Sequence, residues 1–174
     1  MHRLREYIRS IPDFPKQGII FRDITTLLKD GPAWQDAVVA LADPFRERGI
    51  EGVIGIEARG FIMGGAVACE LGAGFIPVRK AGKLPAETLK KNYELEYGTD
   101  SLEVHVDAIK DGQRILMVDD LLATGGTMAA CCEMVEELGG EIAACAFLIE
   151  LCTLNGRDKL PGQEVLSLIK YDRE

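Results

Sequence analysis

Apolar positions change their spacing repeatedly along the chain, and each change marks an element. Trp34, Val38, Leu41 and Phe45 recur at i, i+4, i+7 and i+11, one stripe of a helix that Pro44 kinks or ends. Gly52 to Ile56 is a short apolar run of strand length, and Phe61 to Leu71 reads as a helix of small residues. Phe75 to Val78, Arg114 to Val118, Ile142 to Ile149 and Val165 to Ile169 are further apolar strands. Met128 to Leu138 is amphipathic with helical period. Tyr93 to Tyr97 and Leu102 to Val106 alternate, which predicts an antiparallel hairpin around Gly98-Thr99-Asp100. Leu4 to Ile11 is the predicted first helix, stopped by Pro12, and Asp13 to Asp23 is irregular, with Pro15 and Gly18 as punctuation. Ala81 to Asn92 is Lys-rich, holds Gly82 and Pro85, and has no apolar period, so a long mobile loop is expected. Alternating β and α segments predict an α/β fold with a doubly wound, mainly parallel central sheet flanked by helices.

One connection stands apart from the rest. Ile115 to Val118 runs directly into Asp119-Asp120, then into the small turn Ala123-Thr124-Gly125-Gly126-Thr127, then into the helix. Open α/β sheets bind ligands at the carboxyl ends of their strands. A loop of small residues entering a helix offers backbone N–H groups and a positive dipole end to a phosphate. Paired carboxylates beside it suit sugar hydroxyls, or a divalent metal through water. The spacing excludes a P-loop, because no Lys follows Gly125-Gly126, and a dinucleotide fingerprint, because two acids intervene after the strand. A phosphorylated sugar is the ligand this segment suggests; a tight acidic strand–helix connection is the alternative.

Two other segments carry candidate chemistry. Glu57-Ala58-Arg59-Gly60-Phe61 also lies between a strand and a helix, and Arg59 supplies a planar charged fork for phosphate oxygens. On these residues alone a solvated loop with a surface Arg is an equal reading. Arg79, Lys80 and Lys83 put three cations within five residues of an otherwise acidic chain, either as a solvated run or as a field that focuses an anionic substrate.

Composition narrows the partners. The 174 residues fit one domain, with 20 basic and 28 acidic side chains and a net charge of −8. That balance argues against nucleic acid, which needs a basic face. The five cysteines form no C-x-x-C and no zinc spacing, so buried reduced thiols are expected. The first residues lack an apolar signal core, and the run Ile142 to Ile149 is far below the ~20 residues of a membrane span. A soluble cytoplasmic protein without membrane contact is the expectation.

The run Val118 to Met128 resembles the ribose-phosphate signature of type I phosphoribosyltransferases, in the form carried by members that use adenine. The resemblance extends from about Ile11 to the C-terminus. It implies the type I phosphoribosyltransferase fold, a single domain over 1–174 with a small N-terminal hood in 1–30, and a flexible catalytic loop and β-hairpin in 80–106. It implies transfer of 5-phosphoribosyl from phosphoribosyl pyrophosphate (PRPP) to N9 of adenine, giving AMP and pyrophosphate in purine salvage. Asp119 and Asp120 would hold the ribose hydroxyls, and Ala123, Thr124, Gly125, Gly126 and Thr127 the 5′-phosphate. Arg59, with Arg79, Lys80 and Lys83, would hold pyrophosphate, in a loop that often contains a non-proline cis peptide.

The hood segment Pro12 to Ile24 would place Phe21 against the purine, with main-chain groups of Ile20 and Arg22 reading its edge and Leu154 packing on it. Plain core packing is the alternative for Phe21. Glu96 would assist proton transfer at the purine, with Tyr97 packing or donating a hydrogen bond nearby; an ordinary hairpin strand is the alternative that explains both without chemistry. Mg²⁺ would ride on PRPP with no direct protein ligand, and a homodimer is implied. Glu57-Ala58 stands where some members have Asp-Ser. Two alternatives remain: a sister enzyme acting on hypoxanthine or guanine, and a PRPP-sensing regulator on the same fold.

Overall fold

A computed structural model describes residues 2–94 and 99–172 of the chain. A seven-stranded sheet forms its centre, in the order β5-β6-β4-β3-β7-β8-β9. Its parallel part comprises β3 (Gly52–Ile56), β4 (Gly74–Lys80), β7 (Arg114–Leu122), β8 (Glu141–Leu151) and β9 (Val165–Tyr171). The hairpin of β5 (Thr88–Glu94) and β6 (Thr99–His105) adds to the β4 edge antiparallel, making the sheet mixed.

Helices cover both faces, which is why the inner strands are apolar throughout rather than alternating. All five residues of β3 are buried. Val53, Leu116 and Val118 face one core, with Phe45 and Met63 of the segments α3 (Gly31–Ala42) with its following turn and α4 (Arg59–Leu71). Ile54, Ile56 and Met117 face the other, with Met128 and Met134 of α5 (Gly126–Glu137). The helix predicted from the Trp34 stripe is α3: Asp30 caps it by accepting from the Ala33 N–H at 3.0 Å, and it gives way to a 3-10 turn over Asp43–Phe45 at Pro44.

Three expectations are corrected. The helix predicted over Leu4 to Ile11 is a single turn, α1 (His2–Arg5), followed by a strand, β1 (Arg9–Ile11), paired antiparallel with β2 (Phe21–Asp23), after which the short α2 (Thr25–Leu28) leads into α3. Leu4 and Ile8 are both buried at helical spacing, but the N–H groups of Glu6, Tyr7 and Ile8 bond three residues back, as turns. Strand pairing with β2 outcompetes local helix propensity here. Ala81 to Asn92 is not a loop throughout, because β5 begins at Thr88. Its inward face is Leu89, Lys91 and Tyr93; Lys91 breaks the apolar alternation, yet its ammonium pairs with Glu133 and Glu137 of α5. β7 does not stop at Val118 but continues through both aspartates to Leu122, paired with β8 as far as Glu150.

Candidate active site

The order of the parallel strands locates the site. From β3 the chain steps outward to β4 and later returns to the opposite side of β3 with β7, so the crevice between the ends of β3 and β7 is a topological switch point. The Glu57–Gly60 loop follows β3, and Asp119-Asp120 lie on β7.

These two segments touch. Arg59 Nε lies 2.8 Å from Asp120 Oδ2. A Cβ built on Gly60 would come within 2.6 Å of Asp119 Oδ1. A side chain at Gly60 would therefore collide with that carboxylate. Asp119 Oδ1 also accepts from the Asp120 N–H at 2.9 Å. Burial pushes the Asp119 carboxyl well above the usual carboxylate range, and the neighbouring Asp120 charge pushes the same way. Burial also raises Asp120, against the pull of Arg59. Hydroxyl donors or a bound cation would favour the ionised forms and so be held strongly.

A cavity of about 300 Å³ opens over this floor, bounded by Arg59, Lys80, Tyr93, Asp119, Asp120 and Thr127 among others. A smaller one of about 80 Å³ adjoins it, lined by Ala123, Thr124, Gly125 and Thr127. Here Gly125 is the residue before α5, with φ +78°, and no side chain caps the helix. The first N–H groups of α5 are thus without a side-chain acceptor, at the positive end of its dipole. The turn is packed closely from behind: a Cβ on Gly125 would lie 2.2 Å from the Gly156 carbonyl oxygen, and one on Gly156 2.2 Å from that of Ala123. The Gly156 segment is itself fixed by Arg157, which makes two bonds to the buried Glu150 carboxylate at 2.6 and 2.7 Å.

The remaining cations are paired with acids. Arg79 and Lys83 both reach Glu57, at 3.1 and 2.9 Å, and Lys80 reaches Asp100 at 3.0 Å. The Glu57–Ala58 bond is the cis peptide expected in this loop. In the hood, the Phe21 ring lies 5.2 Å from the Arg59 guanidinium and edge-on to Phe14 at 5.3 Å, so the hood meets the site through Arg59. The Arg22 side chain turns away, onto the Tyr171 ring at 3.9 Å, and Ile20 is half-buried. Leu154 stands exposed in the 3-10 turn that follows β8. Glu96 and Tyr97 lie outside the described residues.

Two site residues carried no sequence assignment. Tyr93 lines the larger cavity, and its hydroxyl meets Asp100 and Thr127. Glu57 was visible only as a loop acid. For Tyr93 the signal was its two-residue step from Lys91 on one strand face; for Glu57 there was none beyond the nearby cations.

A doubly wound sheet with paired carboxylates and a small-residue turn at its switch point is the class of protein these features define. Residues 27–166 match the phosphoribosyl transferase domain, and the chain belongs to that family. Its similarity to relatives is near full length. It is 59% identical over 169 residues to the adenine phosphoribosyltransferase of Clostridium perfringens, covering 97% of this chain and 98% of that one. The crystal structure of the Thermoanaerobacter pseudethanolicus adenine phosphoribosyltransferase superposes with a TM-score of 0.95 at 54% identity, covering 98% and 99% of the two chains. The Saccharomyces cerevisiae enzyme, crystallised with an imino-altritol bisphosphate and adenine, superposes at 0.91 with 40% identity, covering 96% and 97%.

Proposed function

We propose that this chain transfers 5-phosphoribosyl from PRPP to N9 of adenine, releasing AMP and pyrophosphate. The observation that carries the proposal is the joining of three subsites through one residue. Arg59 pairs with Asp120 on the floor of the cavity, lies against Phe21 of the hood, and sits in the loop beside the cations of β4. A sugar on Asp119 and Asp120 would have its 5′-phosphate in the smaller cavity and its C1 toward Arg59. Near-full-length likeness to enzymes named for adenine supports the choice of base.

In the reaction the C1–oxygen bond to pyrophosphate breaks, with the electron pair leaving on pyrophosphate, and N9 bonds to C1 while losing its proton. Positive charge develops on the sugar ring, and the two ionised aspartates beneath it favour that charge. Arg59, Arg79, Lys80 and Lys83 would take up the charge of the leaving group. Phe21 would stack on the base, worth roughly 1–3 kcal/mol by analogy with nucleic-acid sites. Ile20 and Arg22 would read its edge through main-chain groups, and Leu154 would close its far side.

Asp119 and Asp120 are hard oxygen donors of the kind Mg²⁺ accepts, and they fit an ion carried on PRPP beside the ribose hydroxyls. When bound, that ion neutralises pyrophosphate charge. Glu96 is assigned the proton transfer at the purine and Tyr97 a place beside it. The hood spans 1–30 and the catalytic loop with its hairpin 80–106, where closure would exclude water from the reacting carbon. A homodimer in the cytoplasm is the form inferred, and sedimentation of the purified chain tests the dimer.

The deciding experiment mixes protein, PRPP and Mg²⁺ with adenine, hypoxanthine and guanine together and identifies the nucleotides by mass. AMP alone is expected. IMP or GMP would move the protein to the sister enzymes, and no nucleotide despite PRPP binding would make it a sensor. The same assay on Glu96→Gln should show a lower kcat at unchanged PRPP affinity; an unchanged kcat removes that assignment.

A further inference from the structure

The acid at the head of the Glu57–Gly60 loop does more than neutralise neighbours. Its carboxylate holds both side chains and backbone of the segment that begins the catalytic loop. Arg79 Nε donates to Oε2 at 3.3 Å and Nη2 to Oε1 at 3.1 Å. Lys83 Nζ donates to Oε1 at 2.9 Å, and the Lys80 N–H to Oε2 at 3.3 Å. The Arg79 guanidinium also donates to the Lys83 carbonyl at 3.1 Å, closing the turn between them. Only 14% of the Glu57 side chain is exposed, whereas Lys83 is 47% and Arg79 32% exposed. The acid is thus the more enclosed partner, and the cations keep part of their surface open to solvent.

We propose that Glu57, itself in the cavity wall with Lys80, is a positioning residue for the pyrophosphate group of PRPP, holding Arg79 and Lys83 at the cavity's edge before substrate arrives. The proposal rests on the pyrophosphate assignment made above. Each cation retains unused donors after meeting Glu57: an ammonium has three N–H groups and a guanidinium five. Pyrophosphate can therefore be bound by the outer donors while Glu57 keeps the inner ones. Full exchange of partners is disfavoured, because it would leave an enclosed carboxylate unpaired beside a polyanion. Long cationic side chains lose rotamer freedom on ordering, and Glu57 has already imposed much of that loss in the folded protein. These contacts hold the Glu57 carboxyl down at about 2, Arg79 contributing most and Lys83 next, so it stays ionised throughout the working range.

The test is a cycle of variants read by calorimetric binding of magnesium pyrophosphate and by the KM values of the two substrates. Glu57→Gln should weaken pyrophosphate and raise the PRPP KM on the order of tenfold, the scale of a small misplacement of binding groups, with the adenine KM unchanged. Glu57→Asp should recover most of the loss. In an Arg79→Ala background Glu57→Gln should add much less than it does alone, since the acid acts through that cation. Pyrophosphate binding as tight as wild type in Glu57→Gln, or tighter, overturns the proposal and makes Glu57 a competitor of the ligand. Additive losses, or a rise in the adenine KM equal to that for PRPP, overturn it as well. If Glu57→Gln does not fold, Glu57→Ala takes its place in the cycle, with wild-type or tighter pyrophosphate binding or additivity again overturning. Arg79→Ala alone leaving pyrophosphate affinity intact would instead remove the pyrophosphate assignment itself.

Discussion

Asp119 and Asp120 are adjacent in sequence yet face different partners, and the difference sets their chemistry. Asp120 has Arg59 at 2.8 Å; Asp119 has the Asp120 backbone N–H and the gap left by Gly60. Ionising both within one enclosed floor is unfavourable without a ligand, since burial raises both carboxyls. Asp119→Asn with Asp120→Asn should therefore remove most activity, on the order of 10²–10³-fold, the scale for losing preorganised charge. The thermal midpoint should not fall with it, because the substitution removes a desolvation cost and the new amide oxygen at position 119 can still accept from the backbone. Near-normal turnover would end the ribose assignment. Residue type and spacing made this pair legible from sequence. The contact of Gly60 with Asp119 was not legible, because Asp119 is 59 positions away and is brought there only by the β3–β7 pairing.

At the scale of elements, the turn before α5 depends on a backbone conformation and on a neighbour. Gly125 has φ +78° and meets the Gly156 carbonyl; Gly162 has the same φ and nothing within 4 Å of a built Cβ. An L side chain in this region costs roughly 1–2 kcal/mol from strain alone. Gly162→Ala should cost about that much stability in denaturant unfolding, with PRPP binding unchanged. Gly125→Ala should add a displacement of the turn before α5, and, with the 5′-phosphate bound there as proposed, PRPP affinity should drop more than tenfold by calorimetry. Equal PRPP affinity in the two variants would place the phosphate elsewhere. Elements were legible where burial is two-sided, as in β3, β7 and β8, because the apolar run is then continuous. They were illegible where a charged residue faces inward, as Lys91 does on β5, and where Leu4 and Ile8 imitate a helix stripe across a turn.

For the whole molecule, acid sensitivity sums opposing groups. Glu57 and Asp23 are both held at about 2: Glu57 by Arg79 and Lys83, Asp23 first by the Thr25 N–H and then by Arg9. Their folded values lie below the unfolded ones, so the stability they contribute is complete above roughly pH 4.5 and disappears as pH falls toward 2. Asp119 and Asp120 have the reverse sign: their raised values mean a cost that grows as pH rises through the carboxylate range. In thermal melts, the midpoint of Asp23→Asn with Glu57→Gln should fall less than that of wild type between pH 4.5 and 2.5. An identical fall would mean these pairs do not bear on acid unfolding.

The sequence alone determined the class of fold, the small-residue turn behind the paired aspartates and the family. Those rest on local patterns: strand runs buried on both faces, and one contiguous stretch in which carboxylates, small residues and a helix start follow in order. Tertiary structure decided which charges meet. Strand order brought Glu57 against Arg79 and Lys83, Gly60 against Asp119, Arg59 against both Asp120 and Phe21, and Gly125 against Gly156. Such contacts join residues from about 20 to about 60 positions apart, and no periodicity encodes them. The β3–β4 pairing sets the Glu57 contacts, β7 beside β3 sets those of Asp119 and Asp120, and β8 beside β7 sets that of Gly125, after which electrostatics and close packing admit few other arrangements.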